Sequence, residues 1–489
     1  MAHEIGHQFA AAHTWNNCPS SANQRSAGSA YEPGSGNTIM SYNGSCSDQN
    51  ISGQVDFFHV RSLEQMSNFV LNGNGSQCGI DQSTQNEIPE VTLKYENGFY
   101  IPQSTPFALE AEASDADGDQ IYYSWEQYNR NGTVTPIQMP AGNAPIFRTF
   151  EPDTFNTRFF PRLFRVLTGT SGNDEVLPTY NRDLNFRCVV RDLNPTAGGA
   201  SWEEVAFHVD GNAGPFRILD LNTQRDTFYQ NDLMPIQWDV ANTDGELVNC
   251  QNVDILLSTD GGFTFPFTLL ENTPNDGLAY AIVPAFEGEE DEVRIQVKAA
   301  DNIFFDINKT DLTIMNNEAS RFNVGLEIDE ATICYPEFTQ FNLEIVSASV
   351  NAFDEEIQLE VTGLPEGAVL TYSKNPIQAG DTSIVEVNLE GITDLGVFNI
   401  SLNAIAASQE NNERITEIKL LSTDFSSLGL EAPFNGASGI PFGPELQWTD
   451  VPDALLYDVE LSDDPSFQTN VQRRENTTLN IFRPIESLQ

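Results

Sequence analysis

Short segments of alternating apolar and polar residues recur from about residue 90 onward, and they constrain the fold more than any other feature of the sequence. Examples are FALEAEAS (107–114), VDILLS (253–258), VRIQVKA (293–299) and EIQLEVTGL (356–364). Alternation places the apolar side chains on one face of a strand. Clusters of Asp, Asn, Gly and Pro separate the segments and are typical of turns between antiparallel strands. The pattern predicts several all-β sandwiches in series.

The charge balance excludes two classes of partner. Asp and Glu number 71 against 23 Lys and Arg, which gives a formal net charge of −48. Nucleic acids and anionic membranes attract basic surfaces, so we expect neither as a partner. No run of about eighteen apolar residues is present, so we expect no membrane span. Residues 1–80 contribute only −3 of the charge. We therefore expect this segment and the acidic β-rich part to have different roles.

The β-rich part divides into four predicted modules that follow a polar linker at residues 81–90. The modules are predicted over residues 91–212, 213–318, 319–424 and 428–489. An internal repeat supports this division. VDILLSTDGGF (253–263) and YDVELSDDPSF (457–467) have apolar residues at matching positions, and each follows a Gln-Trp pair. The Asp-Gly-Gly and Asp-Asp-Pro clusters in these segments are interpreted as hairpin turns.

Three of the five histidines lie within eleven residues, in HEIGHQFAAAH. On a helix His3 and His7 project from one face, so their imidazoles can bind one metal ion. Glu4 lies beside them, close enough to take a proton from a water at the metal, and His13 can return as a third nitrogen ligand. Three protein ligands and one open position predict a catalytic zinc site. The alternative is a helix whose histidines only cap or pack.

The pattern HExxHxxxxxH followed by a methionine turn resembles that of the metzincin zinc proteases. The stretches HEIGHQFAAAHTW, SAYEPGSGNTIMSYNGSC and FFHVRSLEQM are similar to the secreted bacterial reprolysin-like (adamalysin-like) branch, over about residues 1–80. The resemblance implies a partial α+β catalytic domain made of a zinc helix, a Met-turn and a C-terminal helix. It further implies zinc ligands at His3, His7 and His13, a general base at Glu4, and an apolar floor under the zinc at Met40.

Other residues of this segment leave alternatives open. Tyr42 matches a tyrosine that astacin- and serralysin-type relatives use beside the zinc, where a phenol can stabilise an oxyanion; the alternative is a packing role. Ala10 stands where the family has glycine, and if the turn needs a positive φ, alanine costs about 1–2 kcal/mol. Cys18 and Cys46 flank the loop and the Met-turn, so we expect a disulfide between them, with Cys78 either free or paired with a cysteine upstream of this sequence. The alternative is that all three stay unpaired.

The modules carry resemblances of their own. Residues 444–467 resemble a fibronectin type III domain, and the two modules before it are immunoglobulin-like. The segment SDADGDQ (114–120) resembles the strand-turn of cadherin-like or PKD-like modules. There Asp115, Asp117 and Asp119 can present oxygens to Ca²⁺, or they form only a turn. His59 and His208 lie in apolar Phe-His-Val settings and are interpreted as structural.

The resemblance also predicts a longer parent protein. The family places a twisted sheet and another helix before the zinc helix, and Met1-Ala2-His3-Glu4 is not a signal peptide. We interpret Met1 as an internal methionine of a longer reading frame, and the last module as cut short. From this fragment we expect weak zinc binding and no appreciable proteolysis.

Two classes of function remain. We expect the parent to be a secreted or cell-surface zinc metalloendopeptidase that acts on protein or peptide substrates. The alternative is a non-catalytic adhesin or carbohydrate-binding surface protein with a vestigial protease segment, whose sandwiches bind surface polysaccharide or protein. A decayed site should lose Glu4 or a histidine early, and all four are present. This observation favours the enzyme.

Overall fold

The computed structural model describes residues 1–80, 82, 84, 86–222, 226–316, 319–328, 332–409, 412–434, 436–440, 444–451, 454, 456–468 and 471–484. The linker predicted over 81–90 and the module predicted over 428–489 therefore lie partly outside the described residues. The chain forms two units. The first comprises Met1–Gln230 and Met234–Asn316, and the second Asn231–Leu233 and Asn317–Gln489.

The N-terminal segment is built from short helices and loops. Its α-helices are α1 (Ala2–Gln8) and α2 (Val60–Leu71), and its 3-10 helices are Pro19–Gln24, Ser47–Gln49 and Asn74–Gln77. The side chain of His59 caps α2, because its Nδ1 accepts from the amide of Arg61 at 3.1 Å. No described helix has the length and apolar character needed to cross a membrane.

The rest of the first unit is a pair of β-modules. The strands of the first module, with its one short helix α3 (Leu163–Thr168), are β1 (Glu90–Thr92), β2 (Tyr100–Pro102), β3 (Phe107–Glu110), β4 (Glu112–Ser114), β5 (Tyr122–Gln127), β6 (Thr157–Phe160), β7 (Arg182–Arg191) and β8 (Ala200–Asp210). They form a sheet of order β2-β8-β7-β5 and the pairs β1-β4 and β3-β6.

The second module of this unit has a six-stranded and a three-stranded sheet. Its strands are β9 (Arg217–Ile218), β10 (Thr227–Tyr229), β11 (Leu233–Asp239), β12 (Asn252–Ser258), β13 (Phe267–Pro274), β14 (Leu278–Ile282), β15 (Glu290–Ala299), β16 (Phe305–Ile307) and β17 (Leu312–Met315). The sheet orders are β10-β17-β15-β12-β13, with β16 beside β15, and β14-β11-β9.

The second unit continues the all-β pattern. Its strands are β18 (Arg321–Ile328), β19 (Thr332–Tyr335), β20 (Gln340–Val350), β21 (Glu356–Thr362), β22 (Val369–Tyr372), β23 (Ile377–Gln378), β24 (Thr382–Asn388), β25 (Gly396–Ile405), β26 (Asn412–Ser422), β27 (Leu430–Ala432), β28 (Leu446–Trp448), β29 (Tyr457–Leu461), β30 (Gln472–Thr477) and β31 (Ile481–Phe482). The sheets are β18-β20-β24-β22, β19-β26-β25-β21-β23, β27-β28-β31 and β29-β30.

The predicted fold class is confirmed: a helical N-terminal segment precedes β-sandwich modules, and the apolar residues of the alternating segments form their cores. In β12, Val253, Ile255 and Leu257 are fully buried while the residues between them are not. One expected strand is divided, since 107–114 breaks at Ala111 into β3 and β4, which pair with different partners. Alternation in the sequence predicts which side chains of a strand face the core, but not where the chain leaves one neighbouring strand and pairs with another.

Candidate metal centre

The end of α1 directs the chain back toward the helix face that carries His3 and His7. Ala10 has a φ of +68°, the left-handed conformation. The amides of Ala11 and Ala10 donate to the carbonyl oxygens of Gly6 (2.9 Å) and His7 (3.1 Å), as in a Schellman motif. The turn also brings the Ala11 carbonyl to the ring of His7 and directs the following residues back toward the rings of His3 and His7.

The turn brings the imidazole of His13 next to those of His3 and His7. The Nε2 atom of His13 lies 3.3 Å from Nε2 of His3 and 3.2 Å from Nε2 of His7. Two nitrogen ligands at about 2.0–2.1 Å from a tetrahedral zinc ion are separated by about 3.3 Å. The spacing of these histidines therefore fits a zinc ion.

The other nitrogen of each ring is held by a main-chain carbonyl oxygen. The Nδ1 atoms of His3, His7 and His13 lie 2.7, 2.8 and 2.7 Å from the carbonyl oxygens of Ile39, Ala11 and Gln24. A carbonyl oxygen only accepts hydrogen bonds, so each Nδ1 carries the proton. Each Nε2 is then unprotonated, and its lone pair is free to bind a metal ion between the three rings. Neutral imidazoles in this tautomer are metal ligands.

The electrostatics of His13 favour the same neutral form. Burial is the largest influence and lowers the pKa of His13, the Gln24 carbonyl acts in the opposite direction, and His7 and His3 lower it further. A proton therefore competes with a metal ion for this ring less than it would in water.

Met40 lies directly beneath α1 and is fully buried. A Cβ at Gly6 would come within 2.6 Å of the Met40 sulfur, so the helix and the Met-turn approach each other closely only because residue 6 has no side chain. The Met40 carbonyl accepts from the amide of Thr14 at 3.2 Å, which ties the turn to the chain just after His13.

Glu32, which is not among the residues expected from the sequence, holds the same two segments together. Its buried carboxylate accepts from the amides of Asn37 (2.8 Å) and Thr38 (3.0 Å), and from the hydroxyls of Thr38 (2.6 Å) and Thr14. An acid in SAYEPGSG has no local periodicity that marks it as buried, so no pattern in the sequence could have indicated this role.

Tyr42 and Glu4 are the other two candidate residues of this site. The Tyr42 ring centroid is 4.6 Å from that of His13 and 5.9 Å from that of His3, and its hydroxyl donates to Oε1 of Gln24. Burial and, after it, the charge of Glu4 raise the pKa of Tyr42, so the phenol stays a donor. Glu4 is exposed on α1 between the two histidines.

The structure places the remaining candidates as follows. Cys18 and Cys46 form a disulfide, and Cys78, Cys188, Cys250 and Cys334 are free. Asp115, Asp117 and Asp119 have carboxylate oxygens within 4.8 Å of one another. Oδ1 of Asp115 accepts from the amides of Asp117 (2.9 Å) and Asp119 (3.1 Å), which are the bonds of a turn. Calcium binding at this turn stays a prediction.

The comparisons with known proteins concern the two parts separately. Residues 1–69 match the family model described as metallo-peptidase family M12B, reprolysin-like. This match supports a metallopeptidase-like segment at the N-terminus and implies a metal and protein substrates. No curated protein matches the sequence.

Solved structures resemble the chain only distantly. Latent dimeric PorU from Porphyromonas gingivalis is 11% identical, with 74% of this chain and 37% of that chain covered and a TM-score of 0.29. SGBP-B from Bacteroides ovatus, in complex with a mixed-linkage heptasaccharide, is 12% identical, with 69% and 71% covered and a TM-score of 0.16. Fibronectin(III)-like modules of Clostridium thermocellum CbhA are 11% identical, with 42% and 95% covered and a TM-score of 0.15. These values carry no inference about function.

Proposed function

We propose that His3, His7 and His13 bind zinc and that residues 1–80 belong to a metalloendopeptidase. The convergence of three Nε2 atoms, each on a ring whose Nδ1 is held by a carbonyl oxygen, carries the proposal. The reprolysin-like match supports it. Zinc, when bound, would polarise the carbonyl of a scissile peptide bond and make a water more acidic.

The protein groups then have separate roles in hydrolysis. The carboxylate of Glu4 takes a proton from the attacking water, whose oxygen bonds to the carbonyl carbon. The same carboxylate passes that proton to the amine nitrogen as the carbon–nitrogen bond breaks. The single hydroxyl proton of Tyr42, which is donated to Oε1 of Gln24 in this structure, turns to the oxyanion during hydrolysis, and the raised pKa of Tyr42 keeps the phenol protonated.

The proposed location is outside the cell or on its surface. The Cys18–Cys46 disulfide supports this location, because disulfides persist in oxidising compartments. The large negative charge keeps such a protein soluble and self-repelling. Proteins and peptides are the proposed substrates.

Zinc binding and the role of Glu4 are tested together. With zinc supplied in excess we expect one bound zinc per wild-type chain by equilibrium dialysis, and none in His7→Ala. A peptide hydroxamate, which binds zinc and hydrogen-bonds to a neighbouring carboxylate, should bind the zinc-loaded protein at least about tenfold more tightly than Glu4→Gln loaded with the same zinc. Chelator-sensitive peptide hydrolysis that Glu4→Gln lacks would be direct proof.

The opposite results favour the non-catalytic alternative. If the wild-type chain binds no zinc, the metal site is vestigial. If it binds zinc but the hydroxamate binds Glu4→Gln equally well, the carboxylate does not face the ligand position and the assignment of the general base is wrong.

A further inference from the structure

A loop of the first β-module, residues 131–138, packs against the chain that carries His13. The guanidinium of Arg25 donates to four main-chain carbonyl oxygens, those of Asn16 (2.7 Å), Asn131 (2.9 Å), Gly132 (3.2 Å) and Thr133 (3.3 Å). Three of the four acceptors belong to the loop, more than a hundred residues further along the chain. Arg25 thereby connects the N-terminal segment to the first β-module.

Side-chain amides of the N-terminal segment extend this contact. Oδ1 of Asn16 accepts from the amide of Thr135 at 3.2 Å, and Nδ2 of Asn17 donates to the Thr135 carbonyl at 3.2 Å. Oε1 of Gln49 accepts from the amide of Ile137 at 2.9 Å. Asn16, Asn17 and Gln49 are all buried, so these bonds are shielded from water.

The contact reaches the metal centre through one residue. Gln24, which precedes Arg25, accepts from Nδ1 of His13 with its carbonyl and from the Tyr42 hydroxyl with its side chain. Gln24 ends a 3-10 helix that has no buried residue, so packing within that helix does not fix its position. The acceptors of His3 and His7, by contrast, lie on the Met-turn and at the end of α1.

We propose that Arg25 is a positioning residue for the zinc site, through which loop 131–138 of the first β-module holds His13 in its metal-binding orientation. The proposal rests on the proposed function, in which this centre binds zinc. A residue that orients a metal ligand from outside the coordination sphere typically changes metal affinity by about 10–100-fold. Arginine suits the role, because its rigid fork binds several carbonyl oxygens at once.

The test compares Arg25→Gln with a matched change elsewhere on the same interface. Tyr128 of the first β-module donates to Oε2 of Glu64 in α2 at 2.5 Å, and not to any of the carbonyls that accept from the three histidines, so Tyr128→Phe is the control. Zinc affinity is measured by chelator competition. We expect Arg25→Gln to bind zinc at least about tenfold more weakly than wild type, Tyr128→Phe to stay within about twofold, and Arg25→Lys to lie between wild type and Arg25→Gln.

A second readout needs no metal. Nitrogen-15 NMR of the histidine rings reports which ring nitrogen carries the proton, and the chain has only five histidines. In the metal-free wild type we expect His13 as the Nδ1–H tautomer. In Arg25→Gln its signals should shift toward the Nε2–H tautomer, while those of His3 and His7 stay unchanged. Circular dichroism checks that each variant is folded, and Arg25→Lys replaces Arg25→Gln if the latter is not.

Two results would overturn the proposal. The first is that His13 in Arg25→Gln has the same tautomer as in the wild type. The second is that Tyr128→Phe changes zinc affinity and the His13 tautomer as much as Arg25→Gln does, which would mean that any weakening of the interface disturbs the site. Failure of the zinc assignment is recognised separately, as absence of zinc binding by the wild type. If the wild type binds no zinc, the tautomer of His13 in the metal-free protein still shows whether Arg25 orients this ring.

Discussion

The methyl group of Ala10 disfavours the left-handed backbone conformation that brings His13 back toward His3 and His7. The residue occupies the C′ position of the Schellman motif that ends α1, and its φ of +68° places the Cβ near its neighbouring carbonyl. The resemblance puts glycine at this position, and the structure shows that the turn has the positive φ for which glycine is suited. The site therefore forms in spite of a local cost.

Ala10→Gly should remove that cost. The gain of about 1–2 kcal/mol in the folded turn is partly offset by the greater freedom of glycine in the unfolded chain, about 0.4–1 kcal/mol, so we expect a net stabilisation of about 0.5–1 kcal/mol. Urea unfolding with an unchanged m-value measures it.

Ala12→Gly is the control for Ala10→Gly. Ala12 is two residues further on and has no positive φ, so glycine there should destabilise the protein slightly. If both variants lose stability, the left-handed conformation of Ala10 is not strained in the way that we argue.

Among the elements, the hairpin after β12 shows how one carboxylate fixes a turn. Gly261 and Gly262 have φ of +75° and +93°. Oδ1 of Asp260 accepts from the Ser258 hydroxyl (2.6 Å) and from the amides of Phe263 and Thr264 (both 2.9 Å), and Oδ2 accepts from the Thr264 hydroxyl (2.7 Å). Burial acts to raise the pKa of Asp260, but these donors outweigh it and lower the value to about 2.

The lowered pKa of Asp260 predicts that its contribution to stability depends on pH. A carboxyl group whose pKa is lower in the folded than in the unfolded protein stabilises the native state fully above the unfolded-state pKa of about 3.9. This contribution is lost as the pH falls through the pKa of the folded state. Asp260→Asn should therefore lower the thermal midpoint at pH 6 and progressively less between pH 4 and pH 2. Glu271→Gln, an exposed acid on the paired strand β13, removes the same charge and should have little effect. Equal effects of the two variants would show that net charge, not the turn, is responsible.

The elements also show what a sequence can predict here. Alternation predicts β12, and the helical spacing of His3 and His7 predicts their shared face, because both signals are local and periodic. The acceptors of the histidine Nδ1 atoms, the carboxylate of Glu32 and the contact of Arg25 with residues 131–133 carry no such signal. They are main-chain or single polar contacts between residues far apart in the chain, and only the folded geometry brings them together.

Across the whole molecule, the candidate metal centre and the first two β-modules belong to one unit, and the later modules belong to another. The N-terminal segment is bound to the first β-module by buried polar contacts as well as by the Arg25 cluster. Glu126 is fully buried and accepts from the amide of Val60 at the start of α2 (2.5 Å) and from Arg191 (3.2 Å). Segment and module should therefore unfold together.

Removal of zinc should consequently destabilise one unit only. A ligand at one hundred times its dissociation constant stabilises the state that binds it by about 2.7 kcal/mol. For a unit of about 310 residues, unfolding entropy of about 2.1 cal/mol/K per residue converts this into a shift of about 4 °C. In scanning calorimetry we expect a chelator to lower the transition of the first unit by about this amount and to leave that of the second unit in place. In His7→Ala the chelator should shift neither transition. A chelator-induced shift of the second unit, or a metal-dependent shift of a transition confined to residues 1–80, would contradict the grouping of the metal centre with the first two β-modules.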